Sequence, residues 1–483
     1  MPDKAQKDRS DKNRDIVLDV LLDIEQNKTF LSDALDKALR KIQFSDKKDR
    51  SFITREAEGI CEYMLSLDII IGGFSKTPVK KLRPIIRNIL RLGTYEMLFM
   101  DSVPARATIS ECVNMTKSHN MMKLSGFVNA ILRNVDRKLA DKNYYDIVSA
   151  ADSGNAESNI GTGISEADAD DVTKYGIDVV KARLENISVI FGLDTIAKKY
   201  SAPEWLAEFL IKTYGEEKAE KILLASFTKK KLTIRYNRTL VTKGDLVEKL
   251  TEKGISVTEG KYSDSALLID NIDFVRRVPG YKDGFFSVQA ESSMRAVEAA
   301  GIEEGMKVLD LCAAPGGKST YAAELLGGTG EVRSRDVSDE KTDKIEENIT
   351  RLKLENVTVE KADATVYDEK LEGQFDIVIA DVPCSGLGVI GRKSDIKYRL
   401  VPEDLDSLKE LSFSILLNAV RYVKKGGKLL FSTCTINPSE NEETTRRLLK
   451  AAKQSNLELI DEKLFVQGID DTDGFYYAVL KCN

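Results

Sequence analysis

The first part of the chain carries an apolar residue at every third or fourth position, with charged residues between them. Apolar positions recur in this way at Ile16, Val17, Val20, Leu21 and Ile24, and again at Ile85, Ile86, Ile89 and Leu92. This spacing places the apolar side chains on one face of a helix. The alternation typical of a strand is absent from about residue 15 to residue 137. We therefore predict an all-α helical bundle over residues 1–140.

The helical pattern stops near residue 150, where the chain becomes acidic and rich in small residues. Residues 150–171 consist mainly of Ala, Asp, Ser, Gly, Asn and Glu and contain few large apolar side chains. A segment of this composition cannot bury enough apolar surface to offset the entropy that ordering would remove. We predict that residues 141–195 are a linker with a flexible acidic insertion.

A mixed pattern follows the linker. Leu232 to Tyr236 alternate between apolar and polar residues, as a half-buried strand does. Upstream, Ser201 stands just before Pro203 and a stretch with helical periodicity, so we predict that Ser201 caps that helix. Residues 196–278 are therefore predicted to form a small α+β domain.

Short apolar runs alternate with helical segments from residue 279 to residue 483. The runs are Met306–Leu311, Phe375–Ala380 and Lys428–Ser432, and two of the helical segments are Ser338–Lys353 and Pro402–Val423. This alternation indicates a parallel sheet with helices on both faces. The last domain is thus predicted to be an α/β, Rossmann-like domain.

The charge of the chain is only weakly informative. The formal net charge of −6 does not advertise a nucleic-acid partner. Basic runs do occur locally, at Lys80-Lys81, at Arg133 with Arg137, and at Lys229-Lys230-Lys231. They could contact phosphates or simply form a solvated face.

Cysteine and histidine usage bears on metals and on the compartment. The chain has six cysteines, with no C-x-x-C pair, and His119 is its only histidine. A zinc site of the usual kind is therefore not expected, and we predict no metal. Few cysteines in a long chain, a polar N-terminus and no long apolar run lead us to expect a cytoplasmic protein without membrane contact.

A candidate nucleotide site follows the first apolar run of the last domain. Residues 308–319 are a strand, a turn of small residues containing Gly316 and Gly317, and the start of a helix. Ligands of such sheets bind beyond the carboxyl ends of the strands. Asp336 comes about 20 residues after the glycines, where an acidic residue can hold ribose hydroxyls. The turn matches neither the G-x-G-x-x-G motif nor a phosphate-binding loop. The alternative interpretation, a tight turn that binds no ligand, therefore remains open.

Two cysteines stand directly after predicted strands. Cys384 follows Asp381 in a Pro/Gly-rich loop, and Cys434 follows Thr433. A thiolate that adds to carbon 6 of a pyrimidine makes carbon 5 nucleophilic, contact at N3 assists, and a base must later remove the carbon 5 proton. The two thiols and Asp381 could supply the groups that this chemistry requires. A single buried cysteine is more often a small apolar core residue.

Three motifs of the last domain resemble those of the RNA cytosine-5 methyltransferases of the Nol1/Nop2/Sun type. They are residues 310–319, residues 381–386 and residues 432–435, the last followed by Asn437-Pro438 and Glu440-Asn441-Glu442. In the N-terminal region, residues 90–95, 103–107 and 126–133 resemble the NusB-type RNA-binding domain. The combination resembles the bacterial 16S ribosomal RNA cytosine-5 methyltransferases of the Sun/Fmu type.

This resemblance implies roles for individual residues. Cys434 would attack carbon 6, Cys384 would assist product release, and Asp381 would contact N3 of the base. S-adenosyl-L-methionine would be the cofactor, with Asp336 on its ribose and Asp363 near its adenine. Lys318 and Arg392 would contact cofactor or RNA. The remaining cofactor-binding residues would be Cys312, Ala313, Ala314, Pro315, Gly316, Gly317, Lys318 and Asp381.

The function implied is S-adenosylmethionine-dependent methylation of carbon 5 of a cytosine in 16S ribosomal RNA through a covalent cysteine–C6 adduct. The substrate would be ribosomal RNA before or during subunit assembly, and the protein a monomer. Two alternatives are a transfer RNA cytosine-5 methyltransferase and a catalytically silent ribosomal RNA-binding factor. The presence of both Cys384 and Cys434 argues against the silent factor.

Overall fold

The computed structural model describes residues 4–42, 46–145, 176–228, 231–272, 274–452 and 456–483, with side chains from Lys12 onward. The chain forms two compact units. The first comprises Met1–Lys229 together with Gly391–Arg399, and the second comprises Lys230–Ile390 and Leu400–Asn483. The predicted acidic insertion at residues 150–171, and Lys229 and Lys230 of one basic run, lie outside the described residues.

The described part of the first unit contains helices and the loops that connect them, and no strand. Its helices are α1 (Lys4–Asn27), α2 (Leu31–Lys41), α3 (Lys47–Glu62), α4 (Met64–Gly72), α5 (Pro84–Phe99), α6 (Ala105–Ser118), α7 (Ser125–Ala140), α8 (Ile177–Phe191), α9 (Ile196–Lys199), α10 (Glu204–Tyr214) and α11 (Glu216–Leu224). Helix α5 is the centre of this bundle and is almost entirely buried. Its Pro84 occupies the first turn, where the missing N–H costs nothing because that group has no intrahelical partner.

Buried ion pairs accompany the apolar core of the bundle. Arg14 of α1 donates to both carboxylate oxygens of Glu96 on α5, at 2.6 and 3.1 Å. Arg91 of α5 does the same to Asp68 of α4, at 2.7 Å for each bond. These forked contacts fix the rotation of α5 against its neighbours, which apolar packing alone does less specifically. His119 lies in this unit, with Nε2 3.1 Å from Asp15 Oδ1.

Ser201 does not cap the helix that follows it, contrary to the prediction. The N-cap position of α10 is Pro203, and no side chain accepts a hydrogen bond there. The Ser201 hydroxyl instead accepts from the backbone N–H groups of Leu65 and Ser66, at 3.0 and 3.2 Å. It therefore satisfies free N–H groups in the first turn of α4, a partner that local sequence cannot reveal.

A short segment from the second half of the chain belongs to the helical unit. Helix α16 (Ile396–Arg399) lies in it, and Lys397 is 1% exposed. Lys397 Nζ donates to the carbonyl of Glu62 at 2.8 Å and lies 4.9 Å from the centroid of the Phe227 ring. Burial lowers the pKa of Lys397 to about 7, although Glu62 opposes the shift.

The second unit begins with a small antiparallel sheet. Its strands are β1 (Leu232–Tyr236), β2 (Ser256–Glu259), β3 (Ala266–Asp270) and β4 (Phe286–Val288), in the order β2-β3-β1-β4, and helix α12 (Lys243–Thr251) connects β1 to β2. Strand β1 has the predicted bounds. Strand β4 pairs with β1, although it lies beyond residue 278, the predicted end of the small α+β domain.

A seven-stranded sheet forms the rest of the second unit, in the order β10-β11-β9-β8-β5-β6-β7. Its strands are β5 (Lys307–Asp310), β6 (Glu331–Asp336), β7 (Val357–Lys361), β8 (Phe375–Asp381), β9 (Val423–Thr433), β10 (Leu457–Phe465) and β11 (Phe475–Cys482). The helices are α13 (Glu291–Ala299), α14 (Gly317–Leu325), α15 (Asp339–Leu352), α17 (Pro402–Tyr422) and α18 (Glu442–Ala451).

The seven-stranded sheet is not parallel throughout, contrary to the prediction of a parallel sheet. Strands β5 to β9 pair in parallel, whereas β11 pairs antiparallel with both β9 and β10. The chain between β10 and β11 is too short for the helical crossover that a parallel pair needs, so the two strands form a hairpin. The parallel strands still end at one edge of the sheet. Within the described part of the chain, no helix combines the length and apolar character needed to cross a membrane.

Candidate active site

Four neighbouring strands place polar side chains at the carboxyl edge of the large sheet. Asp310 ends β5, Asp336 ends β6 and Asp381 ends β8, while Cys434 follows the last residue of β9. Because parallel strands end at the same edge, residues far apart in sequence meet there. The described residues contain no group of His, Cys, Asp or Glu placed to hold a metal ion.

The turn after β5 is tied to the end of β6. Gly316 has φ +101°, a left-handed conformation that an L side chain rarely adopts, and α14 begins at the next residue. Asp336 Oδ2 accepts from the backbone N–H of Ala314 at 2.9 Å, and its Oδ1 accepts from Val337 at 2.7 Å. Lys341 pairs with the same carboxylate at 2.9 Å. Asp336 is thus held beside the glycine turn in a fixed orientation.

Asp310 is buried, with one oxygen satisfied and one not. Its Oδ2 accepts from Ser319 Oγ at 2.6 Å, while no described group bonds to Oδ1. Burial raises the pKa of Asp310 to about 7, and the Ser319 hydrogen bond opposes the shift. An unsatisfied buried oxygen is costly, which marks this position as one that a ligand or water would complete.

The thiol of Cys312 lies near several carboxylates at the sheet edge. Burial, and then the carboxylates of Asp310, Asp336 and Asp381, raise the pKa of its thiol above the ordinary value. Three acidic groups therefore face one small volume at the sheet edge. Two of the three are paired with lysines, Asp336 with Lys341 and Asp381 with Lys318.

Asp381 is held from two sides. Lys318 Nζ donates to its Oδ2 at 2.6 Å, and Ser432 Oγ donates to its Oδ1 at 2.8 Å. Ser432 is the cross-strand partner of Asp381, so the pairing of β8 with β9 sets this contact. The Lys318 ammonium also lies 5.0 Å from the centroid of the Phe475 ring. The Asp381 side chain remains 33% exposed, which leaves it accessible to a substrate.

The two cysteine sulfurs are neighbours. Cys384 Sγ lies 3.4 Å from Cys434 Sγ, and both residues are half-buried. The hydrogen bond between the two sulfurs, followed by burial, raises the pKa of the Cys384 thiol well above its ordinary value. We call Cys384 and Cys434 the thiol pair.

Glu440 links the two loops that carry the thiol pair. Its Oε1 accepts from the backbone N–H of Ser385 at 2.8 Å, and its Oε2 accepts from Ser385 Oγ at 2.6 Å. The Oε2 atom also accepts from Asn437 Nδ2 at 3.0 Å and from Thr435 Oγ1 at 3.3 Å. We call Glu440, Ser385, Thr435 and Asn437 the Glu440 cluster.

Three family models match the chain, one for each part of its architecture. The NusB family matches residues 11–137, and the ferredoxin-like domain of RsmF/B-like methyltransferases matches residues 202–274. The 16S rRNA methyltransferase RsmB/F family matches residues 299–481.

A relative in Bacillus subtilis, described as "probable ribosomal RNA small subunit methyltransferase B", is 32% identical over 438 residues, covering 90% of this chain and 88% of the relative. The chain belongs to the ribosomal RNA small subunit methyltransferase B family. A member from Vibrio cholerae is 28% identical over 93% of this chain and 93% of its own.

Solved structures agree in fold with this family assignment. The crystal structure of PH0851 matches 97% of this chain and 98% of its own, with a TM-score of 0.76 and 22% identity. NSun6 from Pyrococcus horikoshii matches 58% of this chain and 98% of its own, with a TM-score of 0.52 and 20% identity. Our methyltransferase thus has a helical NusB-like region, a ferredoxin-like unit and a Rossmann-like domain.

The site residues predicted from the sequence of this methyltransferase lie in the second unit, except Arg392. The structure gathers Asp336, Lys318, Asp381 and the thiol pair at one sheet edge, with Cys312 and the glycine turn. Asp363 follows β7, is exposed, and accepts from Thr365, which lowers its pKa. Arg392 lies in the segment that groups with the helical unit.

Sequence reasoning missed the Glu440 cluster as a part of the site. Its signal was present, because each cysteine is followed by a hydroxyl residue, Ser385 or Thr435. From sequence alone, the Asn437-to-Glu442 motif indicates only the family resemblance. A hydrogen-bond network between segments about 50 residues apart cannot be read from either segment alone.

Proposed function

We propose that this protein transfers a methyl group from S-adenosylmethionine to carbon 5 of a cytosine in 16S ribosomal RNA. The observation that carries the proposal is the thiol pair, with its sulfurs 3.4 Å apart and an aspartate at the end of the adjoining strand. A structural thiol needs no second thiol within reach, whereas addition to a pyrimidine followed by release needs both a nucleophile and a base.

The residues at the sheet edge fit the proposed cofactor. The Asp336 carboxylate is suited to ribose hydroxyls, and the turn at Gly316 lets the backbone approach the ligand closely. The unsatisfied Asp310 oxygen offers a further polar contact. Asp363 would lie toward the adenine. When bound, S-adenosylmethionine supplies an electrophilic methyl group.

The chain's own groups would act on the base in order. The Cys434 thiol gives up its proton and its sulfur forms a bond to carbon 6; electron density moves to carbon 5 and N3, N3 takes up a proton, and that N3–H donates to the Asp381 carboxylate. After methylation, Cys384 removes the carbon 5 proton, the carbon–sulfur bond breaks, and the 5,6 double bond re-forms. In the adduct Cys434 is a neutral thioether, so no negative charge on its sulfur opposes ionisation of Cys384.

Ribosomal RNA is the proposed substrate because the matching family model and the curated relatives are described as small-subunit ribosomal RNA methyltransferases. A NusB-type region at residues 11–137 agrees with an RNA partner. Cytosine as the base, and the adduct at carbon 6, rest on the thiol pair and on the resemblance of its motifs.

The test is mass mapping of 5-methylcytosine in 16S RNA from cells with and without the gene. We expect one modified cytosine to disappear and to return with the wild-type gene but not with Cys434→Ala. In purified protein, Cys384→Ala should accumulate a covalent RNA complex on a denaturing gel, since Cys434 can add but release is blocked. If 16S RNA is unchanged and a 5-methylcytosine is lost from transfer RNA instead, the substrate is transfer RNA. Wild-type turnover by Cys434→Ala would refute the mechanism.

A further inference from the structure

The two cysteine loops are joined by one buried carboxylate. Glu440 is 1% exposed, and its two oxygens accept from the backbone and hydroxyl of Ser385, from Thr435 and from Asn437. Ser385 directly follows Cys384, and Thr435 directly follows Cys434. The carboxylate therefore contacts the residue next to each thiol.

The hydroxyl groups complete a closed set of hydrogen bonds. Ser385 Oγ and Thr435 Oγ1 lie 2.7 Å apart, closer than Thr435 Oγ1 lies to Glu440 at 3.3 Å. If Ser385 donates its only hydroxyl hydrogen to Glu440, Thr435 donates to Ser385. The loops are then tied both directly, hydroxyl to hydroxyl, and through the carboxylate.

Asn441, the next residue, fixes the other side of Cys434. Its Oδ1 accepts from Thr433 Oγ1 at 2.6 Å, and its Nδ2 donates to the carbonyl of Thr435 at 2.9 Å. The residues before and after Cys434 are thus both held, and Asn441 is fully buried. Movement of the Cys434 loop requires several of these bonds to break together.

We infer that Glu440 is a positioning residue, which holds Cys384 and Cys434 at reacting distance by clamping Ser385 to Thr435. The inference rests on the proposed function for its effect on turnover, and on the structure alone for its effect on the distance between the sulfurs. An anionic acceptor suits this place because the Ser385 N–H, the Ser385 hydroxyl and the Asn437 amide all donate to it.

The primary variant is Glu440→Gln, which keeps the shape but presents an NH₂ group to a donor. We expect kcat for cytosine methylation to fall about 100-fold, since a displacement of about 1 Å can cost that much. KM for RNA should change by less than about threefold because no RNA-binding group is altered. Glu443→Gln, the same change at an exposed residue three positions later, should match the wild type.

A second readout does not depend on methylation. Hydrogen peroxide converts two nearby thiols to a disulfide and is itself reduced to water, so the rate of Cys384–Cys434 cross-linking reports their proximity. In protein without RNA, peptide mass spectrometry should show cross-linking about tenfold slower in Glu440→Gln than in wild type or Glu443→Gln. Ser385→Ala and Thr435→Val provide milder variants in case Glu440→Gln folds poorly.

The outcomes separate the two proposals. Two outcomes would overturn the inference, with the folded fraction of Glu440→Gln determined by thermal unfolding. The first is a wild-type kcat and a wild-type cross-linking rate in the folded variant. The second is a loss of activity while the cross-linking rate of the folded fraction is unchanged. If the wild type makes no 5-methylcytosine, the proposed function fails, and cross-linking alone decides the role of Glu440.

A double variant tests the same contact. Combining Ser385→Ala with Glu440→Gln should lower kcat by less than the two single losses added together as free energies, because both changes act through one contact. Full additivity would contradict the clamp.

Discussion

Single residues at the sheet edge carry charge in an environment that leaves them little freedom. The Asp381 carboxylate has Lys318 on one oxygen and Ser432 on the other. Lys318 is only 9% exposed, so its ion pair with Asp381 is better shielded from water than a surface pair. The orientation of Asp381 toward a base therefore depends on Lys318.

Replacing Lys318 with methionine tests this dependence. The stem of the side chain keeps its packing, but Asp381 loses one of its two donors and can rotate. We expect kcat for cytosine methylation to fall about 10- to 100-fold, the range in which positioned acid–base groups act. Lys344→Met, which removes an exposed pair with Glu340 on α15, is the control and should leave kcat unchanged. Equal activity of the two variants would show that Lys318 does not orient Asp381.

Asp310 gives a second prediction, for stability against pH. Burial raises its pKa to about 7 in the folded protein, against an ordinary value of 3.8. Between these pH values the folded state holds a proton that the unfolded state has lost. The free energy of unfolding should therefore fall as pH rises from about 4 to about 7, by at most about 4 kcal/mol.

The measurement compares wild type with Asp310→Asn in urea unfolding from pH 4 to pH 8. Asparagine can still accept from Ser319 and does not ionise, so the variant should lose this part of the slope and be the more stable protein at pH 8. Subtracting the two curves removes the titration of all other groups. A difference that does not vary with pH would show that Asp310 is ionised throughout in the folded protein.

Helices and strands divide into those that local pattern predicts and those that it does not. Strand β1 and helix α15 follow strong periodicity and appear close to their predicted bounds, with Ser338 and Lys353 as the caps of α15. The carboxyl ends of β8 and β9 were placed well enough to bring the two cysteines to one edge.

Partners across the sheet were not predictable in the same way. The hairpin of β10 and β11 reverses the strand direction at one edge, although each strand has ordinary strand composition. The prediction for Ser201 was wrong and the Glu440 cluster was missed for a related reason, because their hydrogen bonds join segments distant in sequence. Periodicity reports which face is buried and not which element covers it.

Close backbone packing beside the thiol pair supports a prediction about the loops between elements. Gly388 donates to the carbonyl of Cys434 at 3.0 Å, and its own carbonyl accepts from Gly474 at 2.8 Å. A Cβ on Gly388 would lie 2.2 Å from the carbonyl oxygen of Gly474 and 2.9 Å from that of Cys434. Three chain segments meet here with no room for a methyl group.

Gly388→Ala should therefore destabilise the second unit by about 1–3 kcal/mol, as overpacking does. Because the displaced backbone includes Cys434, kcat should fall more than about tenfold even in the folded protein. Gly244→Ala in α12, where a Cβ has space, is the control. It should leave kcat unchanged and should keep or raise the free energy of unfolding, because alanine favours a helix more than glycine does. Wild-type kcat in Gly388→Ala would show that this packing does not position Cys434.

One short segment from the last part of the chain groups with the helical unit. Residues 391–399 lie within the catalytic family match at residues 299–481, yet they pack in the helical unit. Tyr398 OH donates to the carbonyl of Ser201 or of Glu62, each at 2.9 Å, and Arg399 donates to the carbonyl of Lys28 at 2.7 Å. The helical unit is therefore incomplete without a piece of the sequence that follows the Cys384 loop.

Asp395 provides the sharpest test of this arrangement. Its Oδ2 accepts from the backbone N–H of Leu31, the first residue of α2, at 3.1 Å, and from Arg399 at 3.0 Å. Asp395→Ala removes a cap from a helix more than 360 residues away, and should lower the local stability of α2 by about 1 kcal/mol. Hydrogen exchange should then show faster exchange at Leu31 and in the first turn of α2. Asp395→Asn keeps an acceptor oxygen and should lose less protection. Unchanged exchange in Asp395→Ala would mean that α2 is stable without this segment, and that residues 391–399 rest on the helical unit without supporting it.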